Sequence, residues 1–195
     1  MTLLHDFAKL PPIDTEPTML EICRYPSSRF EEVCSRILKF FFNPKAEHGL
    51  RDLWITALLE AIGMPKLHDY RQDVTVKSEE WADGKRIDLT IVANNYVIAI
   101  ENKITADVYN PLDVYKDYVT RTYTNKTIVL LVLSMKPILN LHNIMKNDYK
   151  WCSYNDLFSA VRKLLGEYII KANQKYLFFM FDFIKTISNM NTILS

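Results

Sequence analysis

The chain has 195 residues, 49% of them hydrophobic and 24% charged, which suits one well-packed domain and argues against disorder. Its formal net charge of +1 argues against binding nucleic acid through overall basic charge, so such a partner would need a local basic patch. The three cysteines have no CxxC or CxxxC spacing, which argues against a disulfide framework or a zinc site and favours a reducing, intracellular setting.

The sequence predicts a cytoplasmic protein with no membrane partner. The first residues lack a basic region, and Pro11-Pro12 would interrupt the apolar core of a signal peptide. No apolar run approaches the roughly 18 residues that a membrane-spanning helix needs.

The first third of the chain predicts an arm followed by a helix. Residues 1–27 carry four prolines and are expected to form an irregular N-terminal arm. Ser28 offers an N-cap for an amphipathic helix that ends near Asn43-Pro44. The apolar residues of this helix recur at helical spacing: Phe30, Val33, Cys34, Ile37, Leu38 and Phe41.

A second helix and a first strand follow. The helix begins after the turn at His48-Gly49, where His48 is expected to brace it, and Gly63 is a plausible C′ residue. Residues 74–77 alternate weakly and predict a first strand, while His68 and Asp69 between these elements are expected to be ordinary surface residues.

The stretch from Arg86 to Lys103 predicts a β-hairpin. Asn94-Asn95 forms its two-residue loop, because asparagine tolerates the positive φ that tight hairpins require. Counting outward from this loop places Asp88 directly opposite Glu101, and period-2 geometry puts Lys103 on the same face. Facing carboxylates repel each other, so a divalent cation held by both is the obvious compensation. A solvent-exposed sheet face with a Glu–Lys pair is the alternative.

The hairpin also predicts a core face, and five further elements complete an α/β order. The core face carries apolar side chains: Ile87, Leu89, Ile91, Ile98 and Ile100. Asn110-Pro111 caps a helix that runs to about residue 122, and the apolar run 127–133 predicts a central strand covered on both faces. Residues 151–153 predict a short fifth strand, and helices follow at about 155–171 and 174–189. The result is a mixed sheet packed by helices.

The element order and the Ile87-Asp88…Glu101-Asn102-Lys103 motif resemble the PD-(D/E)XK nuclease superfamily. Residues 25–50 are also similar to the opening of a bacterial subfamily of these nucleases, so the resemblance covers about residues 19 to 133. It implies a restriction-endonuclease-like αβββαβ core at 28–150, a central mixed sheet flanked by helices, and a C-terminal strand and helical extension at 151–195. Ile87 stands where the superfamily's name has proline.

The resemblance also implies a chemistry. Asp88 and Glu101 would bind Mg²⁺, with Mn²⁺ as a substitute, and Lys103 would be catalytic, with nucleic acid, chiefly DNA, as the substrate. The backbone carbonyl of Asn102 could supply a third metal oxygen. Glu31 would be an additional catalytic and metal-binding carboxylate on the first helix, although Ser28-x-x-Glu31 is also the pattern of a capping box.

Two questions stay open at this level. A catalytically inactive module with the same fold, binding nucleic acid or a protein partner, is the alternative to an enzyme. The C-terminal helices are apolar enough to form a homodimer face or to complete the core.

Overall fold

The computed structural model describes residues 16–69, 71–104, 111–138 and 148–193, which contain six α-helices, two short 3₁₀ helices and five β-strands. The helices are α1 Met19–Cys23, α2 Ser27–Phe42, α3 Leu53–Ala61, α4 Leu112–Thr122, α5 Tyr154–Leu164 and α6 Gln174–Ile193. The strands are β1 Thr75–Ala82, β2 Lys85–Val92, β3 Tyr96–Lys103, β4 Thr127–Ser134 and β5 Tyr149–Ser153. None of the helices in these ranges is long and apolar enough to cross a membrane.

The strands form one mixed sheet in the order β1-β2-β3-β4-β5. The first three strands are antiparallel, whereas β3, β4 and β5 are parallel to one another. Every residue of β3, the middle strand, is buried. The predicted burial of β4 on both faces is confirmed, because Leu131 and Leu133 pack on one side and Leu130 and Val132 on the other.

Helices cover both faces of this sheet, so the expected α/β fold, consistent with a restriction-endonuclease-like architecture, is confirmed. The α2 face, which carries Leu89, Ile98 and Ile100, shares one large core with residues of α2, α3, α5 and α6. The α4 face, which carries Val97 and Ala99, packs against α4 in a smaller core.

The predicted register of the hairpin is confirmed. The amide of Ala93 donates to the carbonyl oxygen of Tyr96 at 2.9 Å, and the pairs run from Val92 opposite Val97 to Leu89 opposite Ile100. The next step along this register brings Asp88 to the level of Glu101.

The side chains of β2 stop alternating regularly between the two faces of the sheet at Asp88, and the sequence did not indicate this change. Its pairing with β1 is interrupted between Ser78–Leu89 and Glu80–Ile87, where Glu79 has the left-handed φ of 56°. Leu89 packs on the α2 face but Ile87 packs on the α4 face. The prediction that Ile87 shares a core face with Leu89 is therefore wrong, and the interruption lies directly beside the Asp88 carboxylate.

Three helix starts differ from the predictions. Residues 1–15 of the expected arm lie outside the described residues, but Met19–Cys23 forms a short helix with a capping box between Thr18 and Glu21. Helix α2 begins at Ser27 with Pro26 as its N-cap, so the prediction that Ser28 caps this helix is wrong. Helix α4 begins after Pro111, which is its N-cap rather than its first residue, and the predicted cap Asn110 lies outside the described residues.

The C-terminal helices complete the larger core. Helix α5 ends at Leu164 and is followed by two short 3₁₀ turns instead of the predicted helix to 171. The second turn packs against Gly49, whose φ is 69° and where a Cβ would overlap the Lys171 carbonyl oxygen. Phe158 and Phe183 are fully buried beside Trp54, so α5 and α6 belong to the same core as α3.

Candidate active site

Two carboxylates, Asp88 and Glu101, lie together where β2 begins and β3 ends. An Asp88 oxygen accepts the backbone N–H of Asn102 at 2.8 Å, and Glu101 is only 1% exposed. Burial and the charge of Asp88 raise the pKa of Glu101 to about 8. Burial also raises the pKa of Asp88, against the opposing effects of the Asn102 hydrogen bond and of Lys103. The half-buried Asp88 and the buried Glu101 thus form a like-charge pair that resists full ionisation.

Lys103 provides the positive charge of the cluster. Its Nζ lies 2.8 Å from a Glu101 oxygen and 3.6 Å from a Glu31 oxygen, and its side chain is 11% exposed. Burial alone would lower the pKa of Lys103, but the neighbouring carboxylates outweigh burial and raise it, so the amine is held protonated. The alternative of a solvent-exposed Glu–Lys pair is wrong, because both side chains are buried.

Glu31 reaches the same cluster from α2. One of its oxygens accepts the backbone N–H of Ile104 at 3.0 Å, and the other lies 3.6 Å from the Lys103 Nζ. The carboxylate therefore lies at the end of β3 beside Lys103. Glu31 joins Asp88, Glu101 and Lys103, as the family resemblance implied.

Asn102 links β3 to α2 and α5 beside the site through one fully buried side chain. Its Nδ2 donates to the Ser35 Oγ at 2.9 Å and to the Glu31 carbonyl oxygen at 3.2 Å. Its Oδ1 accepts the Tyr154 hydroxyl at 2.7 Å. Neither Ser35 nor Tyr154 was predicted to belong to the site. Ser35 lies one helical turn after Glu31, which is a usable signal, whereas Tyr154 has no local signal.

The model of the PD-(D/E)XK nuclease superfamily matches residues 22–185 of this chain. The chain belongs to this superfamily. The match extends past residue 133, where the resemblance read from the sequence ended, and reaches into α6. Comparisons with curated proteins and with solved structures give no match.

Membership of the PD-(D/E)XK nuclease superfamily implies a nuclease-like fold and, in general, interaction with nucleic acid. Superfamily members typically use divalent metals. Within the described residues, however, no group of three or more His, Cys, Asp or Glu side chains has the geometry of a metal site. Two of the predicted ligands, Glu101 and Glu31, lie 2.8 Å and 3.6 Å from the Lys103 Nζ, and the charge of Lys103 lowers the pKa of the third carboxylate, Asp88.

The chemistry of the donors nevertheless fits a hard divalent cation. Mg²⁺ prefers carboxylate and carbonyl oxygens and keeps several of its waters, so it needs few protein ligands. Burial raises the pKa values of both Asp88 and Glu101, and the charge of Asp88 raises that of Glu101 further, whereas a cation between them would favour the ionised form of both. Because ligands must be deprotonated, binding such a cation would release the proton that Glu101 retains.

Two histidines lie outside this cluster. His48 holds the turn between α2 and α3, since its Nδ1 accepts the backbone N–H of Leu50 at 2.9 Å and its Nε2 lies 3.0 Å from the Asn43 carbonyl oxygen. The prediction that His68 is an ordinary surface residue is wrong: its side chain is 4% exposed, with ring nitrogens 3.1 Å from an Asp52 oxygen and 2.8 Å from the Tyr96 hydroxyl.

Replacing Tyr154 with phenylalanine should lower the free energy of unfolding by about 1–2 kcal/mol, because the Asn102 Oδ1 loses a buried donor. Urea denaturation at neutral pH measures the change. Tyr25→Phe is the control: Tyr25 is 45% exposed, and its substitution should stay within about 0.5 kcal/mol of the wild type. Equal stability of Tyr154→Phe and Tyr25→Phe would show that this hydrogen bond does not hold the site together.

Proposed function

We propose that this protein is a metal-dependent nuclease that hydrolyses phosphodiester bonds, with DNA as its substrate. The observation that carries the proposal is the pair of the half-buried Asp88 and the buried Glu101, with the protonated Lys103 amine 2.8 Å from Glu101. Burying two like charges and an ammonium destabilises a fold unless the geometry is favourable or serves a function. In this proposal residues 28–150 are the nuclease core and residues 151–195 its extension.

The metal would be Mg²⁺, or Mn²⁺ in its place, held by Asp88, Glu101 and the Asn102 carbonyl oxygen with support from Glu31. When bound, it would polarise the phosphoryl group and acidify a water. Lys103 is charged in this structure, so its amine is suited to donating hydrogen bonds to the attacking water and to charge that develops on the phosphoryl oxygens. It could act as a base only after losing its proton.

The test is direct. Incubating the protein with plasmid, linear duplex, single-stranded DNA and RNA should give cleavage with Mg²⁺ or Mn²⁺ and none with EDTA. Asp88→Ala should abolish cleavage. Asp113→Ala, which removes a carboxylate from the exposed first turn of α4, is the matched control and should leave cleavage unchanged.

Two results would reject the proposal. The first is no cleavage of any of the four substrates under either metal. The second is cleavage that persists in Asp88→Ala at the rate of the control. Nucleic-acid binding without cleavage would instead support the alternative of a catalytically inactive module with this fold.

A further inference from the structure

The hairpin between β1 and β2 carries an exposed tryptophan beside the candidate active site. Trp81 is 65% exposed and packs in neither hydrophobic core, although tryptophan buries more apolar area than most side chains. It pairs directly across the hairpin with Arg86, so the indole ring and the guanidinium lie on the same side of the sheet.

The interruption at Glu79 determines which side this is. Beyond it, Ala82 and Ile87 pack on the α4 face. Because side chains alternate along a strand, Trp81 and Arg86 lie on the opposite side, the α2 face, from which Glu31 also reaches the cluster. Without the interruption at Glu79, Trp81 would lie on the α4 face.

Arg86 links the tryptophan to the carboxylates. It precedes Asp88 by two residues, a separation of about 7 Å along an extended strand. Its charge lowers the pKa of Asp88, which places the guanidinium within electrostatic reach of the site. Its pair with Glu79, at 3.3 Å between exposed side chains, is of the weak kind that a phosphate can replace.

A flat exposed ring next to a cation matches the way proteins hold single-stranded nucleic acid. Bases stack on aromatic side chains, and Arg or Lys contacts the neighbouring phosphates. In an intact duplex both faces of each base are covered by the adjacent base pairs, so the ring can stack only on a base that is unpaired or extruded.

We propose that Trp81 is a stacking platform for an unpaired base next to the scissile phosphate and that Arg86 contacts the adjoining phosphate. The substrate class is therefore single-stranded nucleic acid, or a single-stranded segment of a larger substrate. This proposal rests on the proposed nuclease function and adds a binding subsite to it, outside the residues that would perform the hydrolysis.

Binding of labelled oligo(dT), oligo(U) and a blunt duplex of equal length, measured by fluorescence anisotropy in EDTA, tests the platform. Trp81→Ala should weaken binding of the preferred single strand about tenfold and binding of the duplex less than about twofold. Trp81→Phe keeps a ring and should retain most of the affinity. Arg86→Gln should reduce the slope of log K against log salt by about 0.7, the value for one phosphate of a single strand.

Phe178→Ala is the matched control, because Phe178 is similarly exposed, at 61%, but lies in α6. It should leave all three affinities unchanged. The oligo(dT) and oligo(U) arms separate DNA from RNA as the source of the strand. Unchanged affinity of Trp81→Ala for both oligonucleotides would overturn the platform.

Steady-state kinetics with Mg²⁺ keep this proposal separate from the proposed function. A subsite raises KM for a single-stranded substrate when Trp81 is truncated and leaves kcat unchanged. Cleavage with an unchanged KM in Trp81→Ala would reject the platform and leave the nuclease standing. Binding that depends on Trp81 without any cleavage would reject hydrolysis and support the platform.

Discussion

Replacement of Lys103 by methionine is expected to lower kcat for phosphodiester hydrolysis by about 10³-fold, with little change in KM. The methionine side chain preserves most of the apolar stem but removes the ammonium that lies 2.8 Å from Glu101. No charge then remains on residue 103 to donate a hydrogen bond to an attacking water or to the phosphoryl oxygens. Initial rates on the preferred substrate, at saturating Mg²⁺ and Mn²⁺, measure the loss.

Lys163→Met is the matched control for this substitution. Lys163 is exposed and pairs with Glu60 on the protein surface, so its loss should leave kcat within about twofold. In EDTA, Lys103→Met should also melt at a lower temperature than the wild type, because a buried Glu101 oxygen loses the hydrogen-bond donor that lies 2.8 Å away. Lys103→Met activity equal to that of Lys163→Met would remove Lys103 from the mechanism.

The parts of the site that the sequence predicted correctly depend on short-range rules. A two-residue loop at Asn94-Asn95 determines the register of the whole hairpin, and period-2 alternation then assigns each side chain a face. These two rules were enough to bring Asp88 to the level of Glu101. They require no knowledge of the rest of the fold.

The parts that the sequence missed depend on contacts between distant segments. Glu79 adopts its left-handed φ beside Asp88 without a glycine or asparagine to mark the position, so the change of face at Ile87 has no local signature. The His68 side chain is buried because its two ring nitrogens contact Asp52 and Tyr96, which lie 16 and 28 residues away in sequence.

Glu31 lies between these cases. Ser28-x-x-Glu31 satisfies the capping-box pattern, and only the family resemblance favoured a place in the site. The structure shows why the carboxylate points away from the helix start: Asn102 binds the Glu31 carbonyl oxygen and Ser35, which holds this turn of α2 over the end of β3. The Glu31 carboxylate then contacts the Ile104 amide and the Lys103 ammonium instead of the backbone N–H at the start of the helix.

Glu101→Gln is expected to abolish hydrolysis and yet to stabilise the metal-free protein increasingly as the pH rises. The pKa of Glu101 is about 8 in the folded protein and near 4.5 in the unfolded chain, so between these values the folded state holds a proton that the unfolded state has released. The wild type therefore loses stability as the pH rises through this range, by at most about 1.4 kcal/mol per pH unit. Glutamine does not titrate and avoids this loss.

Urea denaturation in EDTA at a series of pH values from about 5 to about 8 measures the difference between Glu101→Gln and the wild type. Glu32→Gln, an exposed neighbour of the site on α2, should show a difference that does not grow with pH. A flat difference for Glu101→Gln would show that the folded protein does not retain this proton.

Mn²⁺ should reverse the difference in stability between Glu101→Gln and the wild type. A cation held by Glu101 displaces its proton, so Mn²⁺ should stabilise the wild type more at pH 8 than at pH 6 and should stabilise Glu101→Gln far less. A site that is destabilised without metal and stabilised by it would explain how one fold keeps a buried Glu101 facing the half-buried Asp88. Equal stabilisation of both proteins by Mn²⁺ would show that Glu101 is not a ligand, whatever its effect on activity.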